Sequence, residues 1–493
     1  MKKAILLDIS RYRVPIVSRM KDMITNLASY GFNEIFFNIE NSLEIKSFPF
    51  IGSEMDSYTQ DEMRDIIDHA KGFGVEIVPI YQSCGHMFHS LKWDSLSYLS
   101  ESESLWSVAP NIDSLDFFDK VYSEIATIFD SEYIHVGGDE VYDFMEGRSK
   151  DLYPNRDKYE VYLEYILKLR DILKSYGKKL MIWGDIIQNR PELIKRLPKD
   201  VIVLYWMYDF DEIPKVYSEI EGRFYISPGL QTWKSEFFRF SYMKKNLKLK
   251  SLECKTNNPM GFLLTDWGDG GHIHSPVVTE FLAKYALEYF MGNRINLSPK
   301  LKEIISLLDS IHNPDFMNSS LLLDKDEFLT RLLYFEYPIS GEGYSTQSIG
   351  QLNRFLDISD SLENLDLSDF EEELRNYFTL VISRTEVIRA KIKIHLKFRQ
   401  GERITDLYIA DLIRVSRLSH LNLTKEWLSS SKPMGLFYHN HFHNELEKGI
   451  SEDFKFYKEG KIKPRFFYDR EGCYNLFSVG NRDALHALWE RFV

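Results

Sequence analysis

Two carboxylates stand side by side at Asp139 and Glu140, inside the segment His135-Val136-Gly137-Gly138-Asp139-Glu140-Val141. The paired glycines let the backbone bend tightly where a strand ends, which would leave both acids at a rim. Adjacent like charges disfavour double ionisation, so one of the two is expected to stay protonated near neutrality as a general acid. A structural reading competes, with Asp139 as a helix N-cap and Glu140 in the first turn. A magnesium site is a third reading, and it explains the surrounding aromatic residues poorly.

Polar and aromatic residues also follow other short apolar runs. They are Asp8 with Arg11, then Glu40, His86, Trp183 with Asp185, Trp206 with Tyr208, Trp233, and finally Asp266, Trp267 and Asp269. Carboxylates, one arginine and several tryptophans on a common rim suit a neutral, hydroxyl-rich ligand that has an apolar ring face. Taken singly, each tryptophan is more often core than platform, and Arg11 or His86 could be structural.

The elements that would position these residues alternate along the first three hundred positions. Strand patterns fall at Ala4–Ile9, Glu34–Ile39, Glu76–Tyr81, Tyr133–Val136, Lys179–Trp183, Val201–Trp206, Arg223–Ile226 and Gly261–Thr265. Helical patterns lie between them, including Ile16–Tyr30, Thr59–Phe73, Leu115–Phe129, Asp157–Tyr176 and Val278–Met291. Largely apolar strands alternating with helices predict a parallel sheet covered on both faces. Eight such units predict an α/β (β/α)₈ TIM barrel, with a doubly wound sheet as runner-up, and place the active site at the C-terminal strand ends. The barrel is assigned to residues 1–298 and a mostly α-helical C-terminal domain to 299–493. In the latter, Lys300–Ser310, Asp324–Tyr334, Ser348–Leu362, Asp369–Arg399 and Ile404–Leu421 read as helices. Strand signals return near Phe454–Tyr468.

Composition narrows the function classes. A net charge of −13 repels phosphate backbones, so a nucleic-acid partner is not expected. Cys84, Cys254 and Cys473 lie far apart without CxxC spacing, against a disulfide framework or a structural zinc site. The apolar run after Met1-Lys2-Lys3 stops at Asp8, too short for a signal-peptide core, and no run approaches the roughly 18–20 apolar residues of a membrane span. A cytoplasmic protein without membrane partners is the expectation. The run His439-Asn440-His441-Phe442-His443 would place its histidines on one face of a strand. Only Glu445 accompanies them as a candidate carboxylate ligand, so an aromatic-rich loop or interface is expected there and no metal. A homo-oligomer is left open.

The chain resembles the family 20 glycoside hydrolases, the β-N-acetylhexosaminidases, over about residues 4–275. The resemblance rests on five blocks in order: Leu7-Asp8-Ile9-Ser10-Arg11, the block ending Gly85-His86, His135–Val141, Ile182-Trp183-Gly184-Asp185, and Thr265-Asp266-Trp267-Gly268-Asp269. It implies an exo-acting, cofactor-free enzyme that removes terminal β-linked GlcNAc or GalNAc by substrate-assisted retaining catalysis. Within it, Glu140 would be the acid/base and Asp139 would orient the acetamido N–H. Arg11 would grip ring hydroxyls and Glu40 would support that contact. His86 would orient the acid pair, Trp183, Trp206 and Trp267 would enclose the acetamido group and sugar, and Asp269 would bind outer hydroxyls.

The chain departs from the family pattern in places. Asn38-Ile39-Glu40 replaces the usual strand-two ending, and Ser83-Cys84 replaces the proline context before Gly85. Trp233 falls where the family has a tyrosine that binds the acetamido oxygen, and with strand one expected from residue 4 a branch lacking the usual N-terminal α/β domain is the expectation. Two rivals remain at this level: a conventional two-carboxylate retaining glycosidase on a non-acetamido sugar, and a catalytically silent carbohydrate-binding barrel.

Overall fold

The computed structural model describes residues 1–53, 55–220, 222–311 and 328–461. Eight parallel strands close into a barrel in sequential order. They are β1 (Lys2–Asp8), β2 (Glu34–Asn38), β3 (Glu76–Ile80), β4 (Tyr133–His135), β5 (Lys179–Trp183), β6 (Ile202–Trp206), β7 (Phe224–Ser227) and β8 (Gly261–Asp266). Closure comes from β8 against β1, in a register running from Gly261 opposite Lys2 to Asp266 opposite Leu7. The doubly wound alternative is excluded, because that sheet would have open edges.

Strand side chains alternate between two cores. Leu6, Phe36, Val78, Ile80, Met181, Trp183, Leu204, Tyr225 and Leu263 fill the barrel interior. Their neighbours Ile5, Leu7, Ile35, Phe37, Ile77, Ile134, Leu180, Ile182, Val203, Ile226 and Leu264 point outward into the core under the helices. Because both sets are apolar, the strands read as continuous hydrophobic runs. The covering helices include α1 (Val17–Tyr30), α2 (Gln60–Gly72), α3 (Ile112–Ile128), α4 (Lys158–Ser175), α5 (Phe240–Asn257) and α6 (Pro276–Met291). Side-chain caps set several starts: Thr59 forms a reciprocal box with Glu62, and Asp157 accepts from the backbone of Tyr159 and Glu160.

Beyond the barrel the described residues form α7 (Pro299–Ile311), α8 (Phe328–Tyr334), α9 (Ile349–Glu363), α10 (Glu372–Arg399), α11 (Asp406–Ser430) and α12 (Leu436–Lys458). Residues 324–327 of the expected helix Asp324–Tyr334 lie outside the described residues. The strand expected near Phe454–Tyr468 is corrected. Its described part continues α12, where Phe454 is buried at helical spacing from Ile450 and Leu446, and residues 462–468 lie outside the described set. The histidine run is helical too, so His439 and His443 share a face four residues apart while His441 points elsewhere. No metal-ligand cluster occurs among the described residues. Cys84 and Cys254 are buried free thiols, and Cys473 lies outside the described residues. No described helix is long and apolar enough to cross a membrane.

The helical region holds the barrel at the loops that follow β1, β7 and β8. Pro15 bridges Ser431, and Lys432 N donates to Val14 O at 2.8 Å. Tyr12 stacks on Tyr438 with centroids 4.5 Å apart. His439 Nε2 lies 3.2 Å from Gly271 O. Buried ion pairs join Arg13 to Glu426 and Arg384 to Glu236.

Candidate active site

A pocket of about 430 Å³ opens at the C-terminal strand ends, lined by Arg11, Gln82, His86, Trp106, Asp139, Glu140, Tyr142, Trp206, Tyr208, Trp233, Lys234, Trp267 and Asp269. Eight of the ten residues to which the resemblance gives a site role meet here. Two do not line it. Trp183 is fully buried beneath, packed against His135 at 4.6 Å and Trp267 at 5.9 Å. Glu40 lies behind Arg11 rather than facing the pocket.

The acid pair owes its position to the end of β4. Gly137 and Gly138 have φ of 69° and 91°, conformations that a side chain disfavours. Space demands glycine as well, since a Cβ at Gly137 would fall 1.6 Å from Gln82 Oε1. No helix starts here: α4 begins only at Lys158, so the N-cap reading of Asp139 falls. Glu140 itself sits at φ 47°, a strained conformation of the kind that clusters at working sites. On the β3 side, a Cβ at Gly85 would come within 2.6 Å of Asp139 O. That glycine therefore lets the His86 loop close onto the acids.

His86 Nε2 lies 3.3 Å from both Asp139 Oδ2 and Glu140 Oε2. Burial disfavours its charged form, yet the two carboxylates outweigh burial and hold the imidazole well above its usual range. Glu140 responds in the opposite sense. Burial raises it, but the neighbouring His86, helped by Tyr142 and Lys234, brings it down to about 2, although Nε2 is not aligned for a hydrogen bond to either carboxylate. For Glu140 this runs against the expectation that like-charge adjacency keeps the general acid protonated. A charged His86 beside Glu140 favours the carboxylate form of that acid and offsets the effect of burial.

A raised carboxyl does exist nearby. Asp185, at the end of β5, is pushed up to about 8, first by burial and then by the charge of Asp139. Its Oδ2 accepts from the Glu140 backbone N–H at 3.1 Å. Asp139 is buried, and its Oδ1 has no hydrogen-bond partner among the described residues.

Arg11 is buried with Nη2 3.1 Å from Glu40 Oε1, Nη1 3.2 Å from Glu40 Oε2, and Nε 3.3 Å from Asp8 Oδ2. Burial pushes Glu40 up to about 7 against the pull of Arg11. Asp8 is held down despite burial by Arg11, His272, Ser10 and the Gly268 N–H. The opposite wall is aromatic. Trp206 stacks on Tyr208 at 5.3 Å, Tyr208 meets Trp233 at 4.8 Å, and Trp267 Nε1 donates to the Tyr208 hydroxyl at 2.5 Å. Asp266 faces inward to Thr232 and Thr279 as a support.

Residues 3–219 match the model of the catalytic domain of glycosyl hydrolase family 20. This stretch, from β1 past the end of β6, is thus similar to that family's catalytic domain. Curated relatives include beta-hexosaminidase subunit alpha of Mus musculus, 25% identical over 249 residues, covering 43% of this chain and 45% of the relative. Beta-hexosaminidase subunit beta of Homo sapiens is 24% identical over 224 residues, covering 39% and 38%. The chain thus spans less than half the length of these relatives. Among solved structures, beta-N-acetylhexosaminidase from Bacteroides fragilis NCTC 9343 aligns with a TM-score of 0.48 at 19% identity, over 63% of this chain and 69% of that one. The family match stops at residue 219, whereas the pocket of this barrel also draws on Trp233, Lys234, Trp267 and Asp269.

Sequence reasoning did not select Gln82, Trp106, Tyr142 or Lys234 as site residues, and it noted Tyr208 without giving it a role. Trp106 sits deep in the long connection after β3, 26 residues beyond Ile80, with no motif to announce it. Tyr142 follows the acid pair by two residues, and that proximity was the available signal.

Proposed function

We propose that this barrel is an exo-acting β-N-acetylhexosaminidase that uses the substrate's own acetamido group as nucleophile. The observation that carries the reading is the unpartnered Asp139 Oδ1 inside an aromatic pocket, next to Glu140 and tied to it through His86. A buried acceptor without a donor is costly, and a ligand N–H is the group that would satisfy it. Asp139 accepts the acetamido N–H and stabilises the positive charge that develops there. The acetamido oxygen attacks the anomeric carbon as the bond to the glycosidic oxygen breaks, giving an oxazolinium ion. Glu140 gives its proton to the departing oxygen, then takes one from the water that opens the ring.

Glu140 must be protonated for the first step. A sugar that covers the carboxylate removes water from it and favours the neutral form. His86 Nε2, 3.3 Å away, is the donor from which the proton reaches Glu140. Arg11, held by Glu40, meets the outer ring hydroxyls together with Asp269. Trp206, Trp233, Trp267 and Tyr208 enclose the acetamido methyl and one ring face. In this account Trp183 acts from below by supporting Trp267. Relatives bearing the beta-hexosaminidase name support the choice of an acetamido sugar.

The test is hydrolysis of aryl β-N-acetylglucosaminide, aryl β-N-acetylgalactosaminide and plain aryl β-glucoside by wild type and Glu140→Gln. Release is expected from acetamido sugars only, with kcat about 10²- to 10⁴-fold lower in the variant. Comparable release from the plain glucoside would remove substrate assistance, and binding without any release would leave a carbohydrate-binding barrel.

A further inference from the structure

The aromatic wall of the pocket is held from outside the barrel. The loop after β7 supplies Trp233 and Lys234, and the loop after β8 supplies Trp267 and Asp269. The two loops are joined where Lys234 N donates to Asp269 O at 2.8 Å. Shortly after Trp233 comes Glu236, which is fully buried and does not line the pocket. Its carboxylate forms an ion pair with Arg384 of α10, and its Oε1 accepts from Thr330 Oγ1 of α8 at 3.4 Å.

A second residue of α10 reaches the neighbouring loop. Tyr377 precedes Arg384 by about two helical turns, so the two side chains share a face. The Tyr377 hydroxyl lies 3.0 Å from His274 Nδ1 in the loop after β8, and its ring stacks on Phe238 of the β7 loop at 6.3 Å. One face of α10 thus grips both loops that carry the wall. From Glu236 to the pocket the connection is short. Arg239 Nη2 reaches Trp233 O at 3.5 Å, and its guanidinium lies 5.4 Å from the centroid of the Trp233 ring. The same ring meets Tyr208 at 4.8 Å.

We propose that Arg384, in the helical region, is a positioning residue that sets how large an N-acyl group the pocket accepts. The inference rests on the function proposed above, in which Trp233 helps to enclose the acetamido methyl. Arg384 touches no substrate and acts through Glu236. A buried ion pair tolerates little separation, because parted charges lose their attraction without regaining water. The loop is therefore anchored just beyond Trp233, and the indole cannot back away to admit a longer acyl chain.

The test compares kcat/KM for aryl β-glucosaminides that carry an N-acetyl or an N-propionyl group. One methylene in a closed apolar pocket is worth about 10- to 200-fold in selectivity, and wild type is expected to favour N-acetyl on that scale. Burial raises the Glu236 carboxyl against the pull of Arg384, so Arg384→Met alone strands a buried acid. The decisive variant is Arg384→Met with Glu236→Leu, which removes both charges. Its preference for N-acetyl is expected to fall about tenfold. Lost stability lowers both rates alike, so the ratio is the readout. Arg13→Met with Glu426→Leu removes another ion pair between the same two regions, and it should leave the ratio unchanged. An unchanged ratio in the Arg384 double variant, an equal fall in the Arg13 double variant, or a wild type indifferent to acyl length overturns the positioning role while acetamido hydrolysis stands. A wild type that cleaves neither substrate overturns the hydrolase reading and this inference with it.

Discussion

Arg11 and Arg13 leave the same loop two residues apart, both buried, and meet opposite fates. Arg13 turns toward the helical region, where every nitrogen finds an oxygen. Nε reaches Ser431 Oγ at 3.0 Å, Nη1 reaches Ile273 O at 3.0 Å, and Nη2 reaches the Glu426 carboxylate at 2.7 and 2.9 Å. The guanidinium also lies 4.7 Å from the centroid of Trp427. Arg11 turns to the pocket. Its Nε is aligned with no acceptor although Asp8 Oδ2 is 3.3 Å away, and Asp139 and Asp269 add to the negative field around it. A buried arginine with all donors used fixes structure; one held by carboxylates but not saturated is poised to share its donors with a ligand.

Breaking the Arg13 side should give the largest effect. Arg13→Met strands Glu426 in the interior, and a loss of about 3–5 kcal/mol is expected in denaturant unfolding. Arg13→Met with Glu426→Leu should regain most of it, because removing both charges removes the uncompensated one. Recovery of less than half in the double variant would mean the arginine acts through packing on Trp427 instead.

Breaking the Arg11 side should cost function more than stability. In Arg11→Met the partner Glu40 has a way out, since burial already places it at about 7 and one proton neutralises it. A fall of about 100-fold in kcat/KM on an aryl β-N-acetylglucosaminide is expected, with a smaller change in unfolding free energy than in Arg13→Met. A stability loss equal to that of Arg13→Met would erase the distinction between the two arginines.

A further effect concerns pH. Asp185 is raised to about 8, against roughly 3.9 for an unfolded aspartate. Between those values the folded chain keeps a proton that the unfolded chain has released. This group's contribution to stability therefore declines as pH rises from about 4 to 8. Asp185→Asn removes the titration, so the fall in Tm between pH 5 and 8.5 should be shallower than in wild type. An unchanged slope would assign the proton elsewhere in the acid cluster.

The strands were legible because their apolar runs are nearly continuous. Ile35 and Phe36 need no alternation when one faces helices and the other the barrel interior. The rim residues were legible for the same reason, since each follows a strand end and barrel geometry gathers strand ends. Three things were not. The protonation of the acids depends on His86, which local sequence places 53 positions before Asp139. The histidine run looked like a strand because alternate histidines carry no helical signature, yet α12 buries His439 and His443 against the helical region. Trp183 looked like a pocket wall because it closes a strand, but its inward side chain stops one layer below the opening.

By itself, the sequence determined the barrel and the residues gathered at its rim, because periodicity and strand ends are local properties of the chain. Only the tertiary structure decided which of those residues face the pocket, where the protons sit, and that Arg13 is a lock while Arg11 is not. Those outcomes depend on distance and burial between residues as far apart as Arg13 and Glu426, and no local pattern encodes either quantity.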